Sequence, residues 1–127
     1  MKYMLLAYLD ENAWQALSKE QQAAEMAKCD PHVAKLAATG KILDGAPLHP
    51  TTTATTIRVK AGKRLITDGP FAETREQLGG YTLIEADNLD EAIAIASGFF
   101  GDSNDDGRVS IEVRPVVEYR MPSRAES

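Results

Sequence analysis

Residues 67 to 81, Thr67-Asp68-Gly69-Pro70-Phe71-Ala72-Glu73-Thr74-Arg75-Glu76-Gln77-Leu78-Gly79-Gly80-Tyr81, hold the densest run of backbone-special residues in the chain. Gly69-Pro70 is a turn pair, because glycine reaches positive φ without a steric cost and proline sets φ near about −65° while removing an amide donor. A strand should therefore stop at Thr67 or Asp68. Gly79-Gly80 repeats the punctuation just before the strand-like run Tyr81 to Glu85. Phe71 to Leu78 then reads as a polar excursion between two strands, the kind of segment on which a site is mounted.

The rest of the chain falls into order around this stretch. Lys2 to Leu9 is a strand with both faces apolar, Tyr3, Leu5, Ala7 and Leu9 on one side and Met4, Leu6 and Tyr8 on the other, so both faces need covering. Glu11 to Leu17, with Trp14, reads as a loop or short helical turn. Ser18 offers an N-cap with Gln21 three residues on, and a helical pattern follows to Thr39, stopped by Gly40. Met26, Cys29, Val33, Leu36 and Ala37 form its apolar stripe, extended by Ala23, and Pro31 should kink or break it near Cys29-Asp30. Lys41 to Leu48 is a short strand. Thr53 to Val59 alternates with Thr55, Ile57 and Val59 inward, and Ala61-Gly62 turns it into Lys63 to Thr67, a hairpin leading into the 67–81 stretch. After the strand Tyr81 to Ala86, Asn88 and Glu91 cap a second helix whose stripe is Leu89, Ala92, Ile93, Ala96 and Phe99 or Phe100. A last strand carries Val109, Ile111, Val113 and Val117.

This is an α+β chain with the β-α-β-β-α-β order of the ferredoxin-like split arrangement and one inserted hairpin. Its 127 residues suffice for one domain, placed at 1–121 with a polar, frayed tail at 122–127. Only two helical patterns are substantial, so one helical layer covers one sheet face and the other face should meet a second subunit. A homodimer is the expectation.

Charge and cysteine usage narrow the class. Nineteen acidic against fourteen basic residues leave a net charge of −5, with Lys and Arg scattered along the chain, so direct nucleic-acid binding is not expected. Cys29 is the one cysteine, which excludes an internal disulfide and points to a reducing cytoplasm. The apolar run Tyr3 to Leu9 is far short of a membrane span.

Asp68-Gly69-Pro70-Phe71, followed by Ala72-Glu73-Thr74 and Glu76-Gln77-Leu78-Gly79-Gly80-Tyr81, resembles the signature of the DGPF-domain branch of the YCII-related family. Met1-Lys2-Tyr3-Met4-Leu5-Leu6 at the start and Ile111-Glu112-Val113-Arg114-Pro115-Val116 at the end extend the likeness over nearly the whole chain. The resemblance implies the same ferredoxin-like fold, assembled as a dimeric α/β barrel with two sheets face to face. In YCII-like proteins a helix histidine in the context matching His32-Val33-Ala34-Lys35-Leu36 has been proposed to pair with an aspartate for acid–base work. The resemblance also implies an association with extracytoplasmic-function sigma factors.

The residues themselves allow that chemistry, because imidazole titrates near neutrality and a carboxylate can fix its tautomer. His32 lies one position off the apolar stripe, and Asp10, Asp44 and Asp68 are its possible partners, between which spacing does not choose. The bland alternative is a histidine bonded at a helix edge. His49 reads as an exposed loop histidine. Asp68 reads either as the acceptor of an Asx-type turn that holds Phe71 against the core, or as part of a cleft with Thr74, Arg75 and Gln77. Phe71, Thr74 and Arg75 are the candidate substrate contacts; Arg75 and Arg114 could each take a carboxylate. Asp102, Asn104, Asp106 and Gly107 fall at calcium-loop spacing, but Val113 stands where the bidentate glutamate belongs and a strand follows, so a solvated acidic turn is the reading. No spacing of a metal or cofactor motif appears.

Three functions remain. One is a small-molecule-binding protein or cofactor-free enzyme acting through His32 with Asp10 or Asp68. The second is a non-enzymatic partner of a sigma factor, and the third a structural module without activity.

Overall fold

The computed structural model describes residues 1–100 and 109–118. The acidic segment 102–107 and the tail 122–127 lie outside the described residues. In chain order the elements are β1 (Lys2–Leu9), α1 (Glu11–Gln15), α2 (Lys19–Ala27), α3 (Asp30–Thr39), β2 (Ile42–Pro47), a 3-10 turn (Thr51–Thr53), β3 (Thr55–Lys60), β4 (Lys63–Asp68), β5 (Gln77–Glu85), α4 (Leu89–Gly98) and β6 (Val109–Pro115).

Local chemistry explains most boundaries. The Ser18 hydroxyl accepts from Gln21 N and the Gln21 side chain closes back on Ser18 N, a complete capping box that starts α2. Pro31 ends up in the first turn of α3, where its missing N–H costs nothing, and the helical pattern breaks there into α2 and α3. Gly40, at φ 73°, stops α3: its N–H reaches Ala37 O, and Lys41 N reaches Leu36 O, the paired bonds of a Schellman ending. Asn88 caps α4 by accepting from Glu91 N. Ala61 and Gly62, at φ 51° and 77°, form the left-handed pair that a two-residue hairpin needs between β3 and β4.

Four strands form one antiparallel sheet in the order β2-β5-β1-β6, and β3 with β4 forms a separate two-stranded sheet. The four-stranded order is compatible with a ferredoxin-like fold, the hairpin being inserted between its second and third strands. Tyr3, Leu5 and Ile84 share one sheet face and pack with Leu36 of α3 and Ala92, Ile95 and Ala96 of α4, all buried. Ile84 is fully buried at 0% exposure. Burial of each such aliphatic side chain is worth about 1.5–3 kcal/mol.

The opposite sheet face carries no helix among the described residues. There Met4, Leu6 and Tyr8 of β1 stand across from Leu83, Tyr81 and Leu78 of β5, all half-buried.

Several expectations are corrected. Gly79-Gly80 does not precede the strand but lies inside it: β5 begins at Gln77. Register shifts there from Ala7 opposite Gly80 to Tyr8 opposite Leu78, so Gly79 sits in a bulge. A Cβ on Gly79 would stand 2.1 Å from Leu9 Cδ2, and one on Gly80 3.1 Å from Ala46 O, so the pair serves close approach of neighbouring strands. Ile57 and Val59 are not inward; they are 64% and 74% exposed, because the hairpin forms a sheet of its own away from the core. Of the stripe expected for the first helical pattern, Cys29 and Leu36 face inward and His32 joins them, while Ala23, Met26, Val33 and Ala37 are exposed, because the break before α3 resets the helical phase.

Lys41, at the start of β2, is bonded to Glu91 in the first turn of α4 at 2.7 Å, tying the sheet edge to the helix. The hydrogen bond from Lys41 holds the Glu91 carboxyl below its ordinary value, and the same bond raises the Lys41 ammonium. A depressed carboxyl contributes stability that is complete above the ordinary carboxylate range and is lost as pH falls through the folded-state value. Urea unfolding of Lys41→Ala should therefore show a smaller loss of stability between about pH 5 and pH 2 than the wild type shows. An equal loss would sever this bridge from the acid response.

Candidate functional site

His32 faces α4. Its Nε2 lies 2.7 Å from Ile95 O, and because a carbonyl only accepts, that nitrogen carries the proton. Ile95 O is available because Phe99 N bonds instead to Ala96 O at 3.1 Å, which tightens the last turn of α4. The ring meets Phe99 edge-on, with centroids 4.8 Å apart and planes at 87°. A Cβ on Gly98 would lie 2.2 to 2.6 Å from three ring atoms of His32, so Gly98 makes the seat. One turn earlier, Cys29 donates its thiol to Phe99 O at 3.2 Å. Burial, with Asp30 and Glu25 nearby, pushes this thiol up, which keeps it protonated and a poor nucleophile.

The three aspartates are elsewhere. Asp10 caps α1, accepting from Asn12 N at 2.9 Å and Ala13 N at 3.2 Å. Asp44 accepts from its neighbour Gly45 N at 2.8 Å, and Asp68 ends β4 opposite Thr55, exposed. Among the described residues no hydrogen bond or ion pair joins His32 to any of them. His49 is exposed.

The signature loop folds back over the hairpin. Thr56 Oγ1 donates to Gly69 O at 2.7 Å, Gly69 N donates to Ala54 O at 2.7 Å, and Arg58 Nη2 donates to Phe71 O. Gly69, at φ 96°, makes the reversal that a side chain would oppose. Phe71 is thereby held outward at 73% exposure, not against the core as the turn was expected to hold it, because the hairpin and not the main sheet receives the loop. The Thr74 hydroxyl donates to Glu76 O at 2.6 Å and the Gln77 amide donates to Thr74 O, so Thr74 braces the loop; Arg75 is exposed.

At the loop's base, Glu11 accepts from Thr51 N at 2.9 Å and Thr51 Oγ1 at 2.7 Å, while Glu11 N donates to the Gln77 side chain at 3.0 Å. This node joins α1, the 3-10 turn and β5. Nothing local in the sequence announces it, since Glu11 and Thr51 are forty residues apart.

What results is a shallow, open groove lined by Thr55, Thr56, Ile57, Arg58, Val59 and Phe71. Arg58 is the residue the sequence reading missed; its place on the polar face of an alternating strand was the available signal. A second hollow, between Leu9, Trp14, Leu17 and Val109, holds only about 60 Å³. Among the described residues no group of three or more His, Cys, Asp or Glu could hold a metal ion, and no helix is long and apolar enough to cross a membrane.

A profile of the YCII-related domain matches residues 1–119. An uncharacterized protein of Rhizobium meliloti (strain 1021) is 41% identical over 120 residues, which span 94% of this chain and 95% of that protein.

The His32 seat makes a prediction with a change of sign. In the wild type, Gly98→Ala should lower stability to urea by about 1–3 kcal/mol, because the ring must leave its place. In a His32→Ala background the same substitution should stabilise by up to about 1 kcal/mol, since alanine is the better helix former once the clash is gone. Equal effects in both backgrounds would remove the seat from the account.

Proposed function

The chain belongs to the YCII-related family, and from that premise we propose that it is a small-molecule-binding protein whose site is the groove between β3 and the signature loop. The ligand class is a small carboxylate with an apolar or aromatic body. Arg58 beside Phe71 is the observation that supports this reading. Among the described residues Arg58 has no carboxylate partner; it donates to a neutral carbonyl and faces water next to an exposed ring. A guanidinium takes a carboxylate through two parallel bonds, and an aromatic ring offers its face or edge to the ligand body. Thr55 supplies a further hydroxyl at the rim.

In this reading His32 clamps α3 to α4. An acid–base step using His32 with Asp10 or Asp68 would require the ring to leave Ile95 O, so binding stands ahead of turnover. The alternative role as an accessory of an extracytoplasmic-function sigma factor has no feature among the described residues to carry it.

The working unit in this proposal is a homodimer, with sheets face to face in the dimeric α/β barrel manner. Its support is the row Met4, Leu6, Tyr8, Leu78, Tyr81 and Leu83, half-exposed on the uncovered sheet face.

Calorimetric titration with aryl carboxylates, benzoate and phenylacetate among them, tests the site. At least one should bind the wild type, and Arg58→Ala should weaken it about tenfold or more, the worth of a hydrogen bond to a charged group. A panel without a binder, or a binder indifferent to Arg58, would sink the proposal.

A further inference from the structure

We infer that the groove takes dianions: an aromatic ring carrying one carboxylate, held by Arg58, and a second anionic group, carboxylate or phosphate, held by Lys60 and Lys63 at the tip of the hairpin. The inference rests on the groove reading above and narrows its ligand class.

In an antiparallel ribbon, directly paired residues and residues two apart share a face. Lys60 pairs with Lys63 and Arg58 with Leu65, so the three cations stand on one side of the hairpin, all exposed. Paired Cβ atoms lie about 5 Å apart, and positions two apart along a strand about 6.6 Å. A benzene ring with anionic groups at its two ends bridges such a span.

The structure leaves these cations without a counter-charge. Like charges directly opposite each other destabilise a ribbon, and a lone two-stranded ribbon has little stability to spare. Yet among the described residues none of the three has a carboxylate partner. Between Asp44 and Asp68 the chain holds no acidic residue at all, although it has nineteen elsewhere and in those two positions. Edge strands do carry lysines against aggregation, but that use needs neither a cross-strand cation pair nor the exclusion of acids from the whole hairpin. An anion supplied from outside satisfies both.

Arg58 belongs to this cationic face and to the groove at once. It gives an Nη2 proton to Phe71 O, and a guanidinium has five N–H donors, enough for a ligand carboxylate as well. A ring laid beside Phe71 and along β3 then carries its far end toward Lys60. Ammonium groups act as point charges and take carboxylate or phosphate alike.

Calorimetric titration of the full chain with terephthalate and with its monomethyl ester tests the class, because the two ligands share one body and differ by one charge. Terephthalate should bind about tenfold more tightly, and the ratio should fall toward one in about 1 M salt, where the screening length is about 3 Å. In the double variant Lys60→Gln with Lys63→Gln the ratio should shrink to about threefold or less. A ratio separates this role from a structural one, since any change in the hairpin itself acts on both ligands. Equal binding of the two ligands by the wild type overturns the inference and leaves the groove reading standing, as does a preference for terephthalate that the double variant keeps. A wild type that binds neither of these ligands, nor benzoate or phenylacetate, overturns both.

Discussion

Everything in this structure depends on one packing event, the burial of Tyr3, Leu5 and Ile84 beneath α3 and α4. The helices come close because the contact residues of α4 include Ala92 and Ala96, both small and both buried. Leu36 and Ile95 then fill the layer between sheet and helices. Polar bonds at the margins hold the helices in register. Lys41 ties the sheet edge to the start of α4, and His32 and Cys29 tie α3 to its end. α3 and α4 cover one face of the four-stranded sheet, and the other carries Met4, Leu6, Tyr8, Leu78, Tyr81 and Leu83 half-exposed.

The same economy governs the groups that could have done chemistry. Asp10 and Asn88 satisfy amides at helix starts, and His32 satisfies a carbonyl at a helix end. Thr74 and Gln77 brace a loop, and Glu11 fastens its base. Each is a polar group completing backbone hydrogen bonding where secondary structure runs out. Arg58 follows the same rule in donating to Phe71 O, yet it and the Phe71 ring remain exposed on the outer side of the hairpin.

Much of the fold was legible in the sequence because its signals are local. The capping box at Ser18 and Gln21, the stop at Gly40, the break at Pro31 and the left-handed turn at Ala61-Gly62 each arise from a few adjacent residues, and each holds. The β-α-β-β-α-β succession with its inserted hairpin is the one observed. Where the reading went astray, the deciding contact was distant. Gly79-Gly80 looked like a turn but is a bulge set by Leu9 and Ala46, residues remote in the chain. Phe71 looked like a core residue, yet the loop that carries it is caught by Thr56 and Arg58 of the hairpin.

The sequence by itself determined the order of helices and strands and the caps and stops of the helices, since these depend on steric and hydrogen-bonding preferences within a turn or two. Tertiary structure alone decided which apolar faces are covered. Val33 and Ile57 carry the same hydrophobic signal as Leu36 and Ile84, but only the latter pair meets a surface within its own chain. It also decided the place of His32, whose seat on Gly98 and Ile95 is made by an element more than sixty residues away. The hydrophobic effect rewards burial without regard to partner, so periodicity announces that a face will be buried and only the assembled chain reveals against what.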